Sequence, residues 1–195
     1  SVIFQDYYAT TPIHFRAGTP NSDGTITWVA DWEHVFTPDA AQVIVDPVVI
    51  NTTDGYSWIC FGYKASGANY EYAIIKSTLT TGEWGTVNAR TTLYLSGSTS
   101  ARVLGTMVPL TSGKLYCMWY TPETGGPDRK LDGKLYDGSS WGSQEDVSTS
   151  NLPTTSYTNW SPYSALAKSD DVYVAFETTG YDLKVAKRTY GTGWG

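Results

Sequence analysis

Apolar and aromatic residues along this chain fall in short runs bounded by clusters of Gly, Asn, Asp, Ser and Thr, and no segment carries them at helical spacing. The runs group themselves. Asp46–Ile50, Tyr56–Tyr63, Glu71–Lys76 and Trp84–Leu95 read as four successive strands. Thr106–Leu110, Lys114–Tyr120, Lys134–Tyr136 and the stretch from Trp141 repeat that order. Pro162–Ala167, Asp171–Phe176 and Leu183–Lys187 begin it again. Ahead of them Val2–Tyr8, Ile13–Arg16 and Thr25–Phe36 match the last three strands of a unit. The second strand of each group is almost continuously apolar, as expected of a strand covered on both faces.

A ruler runs through these groups. Trp28, Trp84, Trp141 and Trp194 each follow a Gly-containing turn and recur about every 55 residues, the signature of a repeat architecture. Four-stranded antiparallel meanders of that length are the blades of a β-propeller, so the fold expected is all-β, with an incomplete ring in this chain. The blade boundaries read as about 1–40 (lacking its first strand), 41–100, 101–156 and 157–195 (lacking its last strand). Six blades at this period need roughly 330 residues. The ring is therefore expected to be completed by the rest of a longer chain or by a second copy, or else the blades form an open stack.

Composition narrows the partners. Nineteen acidic against thirteen basic residues give a net charge of −6, which opposes a surface built to neutralise phosphates, so no nucleic-acid partner is expected. Cys60 and Cys117 fall on corresponding second strands and read as small buried hydrophobes. No apolar run is long enough for a membrane span, and no charged-then-apolar leader opens the chain. His14 and His34 have no carboxylate or cysteine at ligand spacing, so neither a metal nor a cofactor is expected.

The stretch Ser22-Asp23-Gly24-Thr25-Ile26-Thr27-Trp28 resembles the Asp-box of sialidase-like propellers, written S-x-D-x-G-x-T-W, with one residue fewer between Ser and Asp. The other repeats keep Gly and Trp and read as lacking the Asp. Asp and Gly suit a turn that needs side-chain-to-backbone hydrogen bonds and a positive φ, with the tryptophan covering the adjacent sheet. Ser22, Asp23, Gly24, Trp28, Trp84, Trp141 and Trp194 are thus expected to be structural. In the families it resembles the motif lies on the outer rim, so the resemblance implies carbohydrate recognition by an extracellular or surface-displayed protein and moves the search to the propeller axis. A sialidase clamp of three arginines is not visible among Arg16, Arg90, Arg102, Arg129 and Arg188.

A second resemblance is local. Asp46-Pro47-Val48-Val49-Ile50, followed by Asp54-Gly55-Tyr56-Ser57-Trp58, is similar to the opening blade of five-bladed glycoside hydrolases, where an Asp-Pro projects a carboxylate into the axial pocket. Asp46 is the candidate catalytic residue, or alternatively a strand-entry cap. Hydrolysis needs a second carboxyl group, for which Glu71 and Glu177 are the nearest candidates. Trp160 and Tyr163 open an innermost strand, and with Asp46 and Met107 they form the expected ligand-binding set at the axial mouth. Three functions stay open: glycan or polysaccharide binding, a propeller-type glycoside hydrolase or polysaccharide lyase, and a non-enzymatic structural or attachment protein of a cell surface or virion.

Overall fold

The computed structural model describes residues 2–5, 13–36, 43–64, 67–78, 89–97, 103–120, 130–148, 151–153 and 163–195, with 2–5, 13–20, 29–36 and 43–46 described in backbone alone. Four antiparallel sheets follow one another, each a meander in chain order. The first holds β1 (Val2–Gln5), β2 (Ile13–Pro20) and β3 (Ile26–Phe36). The second holds β4 (Val43–Asn51), β5 (Ser57–Lys64), β6 (Glu71–Lys76) and β7 (Thr91–Leu95). The third holds β8 (Leu104–Pro109), β9 (Leu115–Tyr120), β10 (Leu131–Tyr136) and β11 (Glu145–Asp146). The fourth holds β12 (Tyr163–Lys168), β13 (Asp171–Glu177), β14 (Leu183–Thr189) and β15 (Gly193–Trp194). Among the described residues there is no α-helix, and the all-β blade pattern expected from the sequence is what is found.

Two elements differ from the sequence reading. The fourth sheet does have a fourth strand, in which Trp194 pairs with Arg188 and Gly193 with Thr189. It is only two residues long, too short for an apolar pattern to register. In the third sheet β10 starts at Leu131 rather than Lys134, because Asp132 and Gly133 disguise it as a loop. Gly133 is there for the ring of Tyr116: a Cβ at this position would lie 2.4 Å from Tyr116 Cε1. The strand expected from Trp84 is described only over Thr91–Leu95, and Trp84 lies outside the described residues.

Strand alternation builds two cores from one strand. Leu115, Cys117 and Trp119 of β9 point to the second sheet, where they meet Trp58, Cys60, Tyr72 and Ile74. Tyr116, Met118 and Tyr120 point to the fourth, against Val172, Val174 and Phe176. All six β9 residues are buried, which is why the strand has no polar face. Each large apolar side chain so buried contributes about 2 kcal/mol. The first strands β4, β8 and β12 stand side by side, and the turns joining first and second strands touch: Gly113 N–H donates to Thr53 Oγ1 at 3.3 Å, and Thr111 N–H donates to Asp170 Oδ1 at 2.8 Å. Burial alone would raise the Asp170 carboxyl. The hydrogen bonds from Lys114 and Thr111 outweigh it and hold the group below the usual aspartate range.

The Asp-box stretch is the turn between β2 and β3. Asp23 Oδ1 accepts from Thr25 N–H at 2.9 Å and from Thr25 Oγ1 at 2.6 Å, while Gly24 takes φ +83°. The Thr25 hydroxyl is the main reason the exposed Asp23 carboxyl sits below its ordinary value. The third sheet repeats this turn, a correction to the reading that its acid is lost: Asp137 Oδ1 accepts from Ser139 N–H and Ser139 Oγ, both at 2.8 Å, with Gly138 at φ +104°. The equivalence hides in the sequence because Trp141 follows its Asp one residue sooner than Trp28 does. Ser22 is exposed at the tip of the first turn.

Candidate functional site

Between the third and fourth sheets the outer strands part to leave a cleft of about 410 Å³. Leu135 and Glu145 line it from the third sheet. Arg188 and the loop Tyr190-Gly191-Thr192-Gly193 line it from the fourth. Arg188 reaches the cleft because it pairs with Val172, whose side chain faces the third sheet, so the β14 face carrying Ala186 and Arg188 turns the same way. Glu145 is placed by β11, the outermost strand of the third sheet.

The two charges meet side on. Arg188 Nε donates to Glu145 Oε2 and Arg188 Nη2 to Oε1, each at 2.7 Å, a fork-to-fork pair that fixes both planes. Tyr116 OH donates to Glu145 Oε2 at 3.1 Å and accepts from Trp194 Nε1 at 2.9 Å. The Arg188 guanidinium also lies 5.1 Å from the centre of the Tyr116 ring. Burial by itself pushes the Glu145 carboxyl up, but hydrogen bonds and charge from Arg188 more than offset this and hold it below the ordinary glutamate value. Burial pushes the Tyr116 phenol well above its usual value, and the bond from Trp194 opposes it. Glu145 therefore acts as an acceptor and Tyr116 keeps its proton. The side chain of Arg188 is 6% exposed and that of Glu145 28%, so the carboxylate is the member of the pair that meets solvent. Arg188 Nη1 is buried without a hydrogen-bond acceptor. Tyr190, 46% exposed, forms the flat wall of the cleft, with Lys114 Nζ 4.3 Å from its ring centre.

A similar set of residues occurs within the second sheet. Glu71 Oε1 accepts from Arg90 Nε and Nη2, both at 2.6 Å, and Oε2 accepts from Thr92 Oγ1. The Arg90 guanidinium sits 4.1 Å from the centre of the Tyr63 ring. Both carboxylate oxygens of Glu71 are thus occupied.

The axial candidates occupy different surroundings. Asp46 lies inside β4 rather than at its start, in a β-bulge where Asp46 and Pro47 together face the single residue Phe61, between the pairs Val45–Gly62 and Val48–Cys60. Met107 is buried with Trp58 and Cys60 in the core between the second and third sheets, while its neighbour Val108 is buried on the other face of β8. Tyr163 is buried against Val174 and Phe176, its hydroxyl donating to Leu104 O at 3.4 Å. Trp160 lies outside the described residues. Glu177 stands on the β13 face opposite Val172, Val174 and Phe176, turned from the third sheet. Cys60 and Cys117 are free thiols, as expected, and burial pushes Cys60 up to about 12. Among the described residues no three His, Cys, Asp or Glu side chains gather as metal ligands, and no helix is long and apolar enough to cross a membrane.

No protein-family model matches the sequence, and no curated protein does. Among solved structures the chain is similar to a fungal lectin with a six-bladed β-propeller fold and a novel mode of fucose recognition, that of Aleuria aurantia. The superposition has a TM-score of 0.57 and 16% identity, covering 99% of this chain and 54% of the lectin. A single-substitution variant of that lectin, in complex with Fucα1-6GlcNAc, gives a TM-score of 0.52 and 17% identity with the same coverage. The chain spans about half the length of these structures. Likeness at this level identifies the class: the sheets are β-propeller blades.

Proposed function

We propose that this protein recognises carbohydrate through the cleft between its third and fourth sheets, as a propeller lectin with sialidase-like rim turns, displayed outside the cell or on its surface. The observation that carries the reading is the forked Glu145–Arg188 pair, braced by Tyr116 and Trp194, beside the half-exposed ring of Tyr190. Sugars present hydroxyls that donate and accept on neighbouring carbons, together with a flat C–H face. A carboxylate that accepts, held in place by a buried guanidinium, and a half-exposed aromatic ring answer the donating hydroxyls and the flat face. The fucose-recognising propellers to which the chain is similar support the same class of ligand.

The charge balance selects among sugars. Glu145 already neutralises Arg188, so a sugar carboxylate would meet no surplus positive charge, and neutral sugars are favoured over sialic or uronic acids. A glycan array carrying neutral and acidic sugars tests this. Binding to neutral glycans that falls about tenfold or more in Tyr190→Ala is expected, since Tyr190 is exposed and its loss leaves the ion pair in place. Binding confined to acidic glycans, or indifferent to Tyr190→Ala, overturns the reading.

A further inference from the structure

The described sheets join by a rule. The tryptophan that follows the third strand of one sheet lies edge-on against the aromatic residue near the start of the second strand of the sheet before it. Trp141 stands at 6.4 Å and 88° to Trp58, and Trp194 at 5.6 Å and 67° to Tyr116. In each case the residue paired with the tryptophan on the third strand closes over the same ring. Tyr136, bridged to Trp141, lies 5.0 Å from Trp58, and Arg188, paired with Trp194, lies 5.1 Å from Tyr116.

The corresponding position in the fourth sheet is Tyr173. Val172 and Val174 face the third sheet, so Tyr173 and Ala175 face away from it. Across the ladder Leu166 is opposite Tyr173 and Val185 opposite Ala175, which puts all four on one face, with Leu183 two residues from Val185. Leu166 is 58% exposed, Val185 69% and Leu183 76%. The equivalent faces of the second and third sheets are buried under the next sheet. Asp171, Glu177 and Lys187 share this face and border its exposed apolar side chains, and an exposed apolar patch rimmed by polar groups marks an interaction surface.

We propose that this face docks the first sheet of a second copy of the chain, head to tail, with Trp28 seated on Tyr173 as Trp141 sits on Trp58 and Trp194 on Tyr116. Trp28 fits the role by position: it follows the same Asp-Gly turn as Trp141, and it pairs with Gly18 of β2 as Trp194 pairs with Arg188 of β14. The contact continues an interface the chain already forms twice within itself. Being heterologous, it closes when the second copy returns the same contact, giving a two-fold ring.

Light scattering or sedimentation on the full chain from about 1 to about 100 µM tests the contact. The expected species has twice the chain mass of 21.4 kDa at the upper end. Val185→Lys places a charge in the middle of the face at an already exposed position, and is expected to return the protein to the monomer with an unchanged circular dichroism spectrum. Trp28→Ala is expected to weaken association about tenfold or more. A monomer throughout the range, or a dimer that Val185→Lys leaves intact, overturns the proposal. Mass is read without any glycan, so failure here and failure of the lectin reading are separate results.

Discussion

Two glutamate–arginine pairs, each beside a tyrosine ring, occupy contrasting places in this molecule. Glu71 and Arg90 belong to one sheet, and Thr92 takes the carboxylate oxygen that Arg90 leaves. Glu145 and Arg188 come from different sheets, and the partner filling out that carboxylate is Tyr116, itself held by Trp194. Exposure is reversed as well. The carboxylate is the more buried member of the first pair, with side chains 10% exposed for Glu71 and 22% for Arg90. The guanidinium is the more buried member of the second, at 6% against 28%. The same residue types thus seal a sheet in one place and leave an acceptor facing a cleft in the other. Residue identity alone does not set the two pairs apart; the gap between two sheets does.

Removing the arginines should break this comparison most sharply. Arg188→Met leaves Glu145 without its partner in a partly buried position, and Arg90→Met does the same to Glu71, so each is expected to cost about 3 kcal/mol in chemical denaturation. Only Arg188→Met should also abolish glycan binding, measured on whatever fraction remains folded. Equal loss of binding in both variants would mean that destabilisation rather than the cleft is being read.

Next in size is Gly133→Ala. The added methyl meets the Tyr116 ring at 2.4 Å and Tyr116 OH at 2.6 Å, so the ring must move. A stability loss of about 2 kcal/mol is expected, with weakened glycan binding because Tyr116 positions Glu145. The second-sheet pair gives the control: the Arg90–Glu71 contact does not involve Tyr116 and should be unaffected.

Acid sharpens the comparison further. The Glu145 carboxyl titrates lower in the folded protein than its ordinary value of 4.5, so the folded state binds its proton less readily than the unfolded chain does. Its contribution is fully present above pH 4.5 and is lost as the pH falls from there through the folded-state value. The melting temperature should therefore hold constant down to about pH 5 and then fall, while glycan binding holds until Glu145 takes up its proton in the folded protein, below 4.5. Binding that declines well above that range would assign the titration to another group.

The fold was legible because two periods are written in the chain, the alternation within strands and the tryptophan spacing between sheets. The cleft was not, for physical reasons. Glu145 and Arg188 lie 43 residues apart in different repeats, and nothing in strand alternation says which outer-strand residue of one sheet meets which third-strand residue of the next. Arg188 was in view as a third-strand arginine, and the Gly-Trp turn after it as an architectural marker. Their conjunction was the available signal. The surroundings of the axial candidates turn on smaller details: Met107 falls on the β8 face packed against the second sheet, and Asp46 sits in a bulge that no alternation pattern reveals.

The smallest effect concerns the turns. Those at 21–25, 52–56 and 178–182 share one backbone pattern, in which the first residue donates to the carbonyl of the fifth and the fourth donates back to the first. The fourth residue is Gly24 at φ +83° and Gly55 at φ +89° in two of them, but Tyr181 at φ +63° in the third. A left-handed conformation costs a side-chain-bearing residue about 1 kcal/mol, and Tyr181 is 84% exposed, so burial of its ring returns little of that. Tyr181→Gly should relieve this strain while adding freedom to the unfolded chain, for a net gain of about 0.5 kcal/mol or less. The side chain lies at the tip of the β13–β14 hairpin, next to the exposed Leu183. If Tyr181→Gly raises the melting temperature and also loosens self-association, the strained tyrosine belongs to the docking face. A gain in stability with unchanged association would confine the docking face to Leu166, Tyr173, Leu183 and Val185.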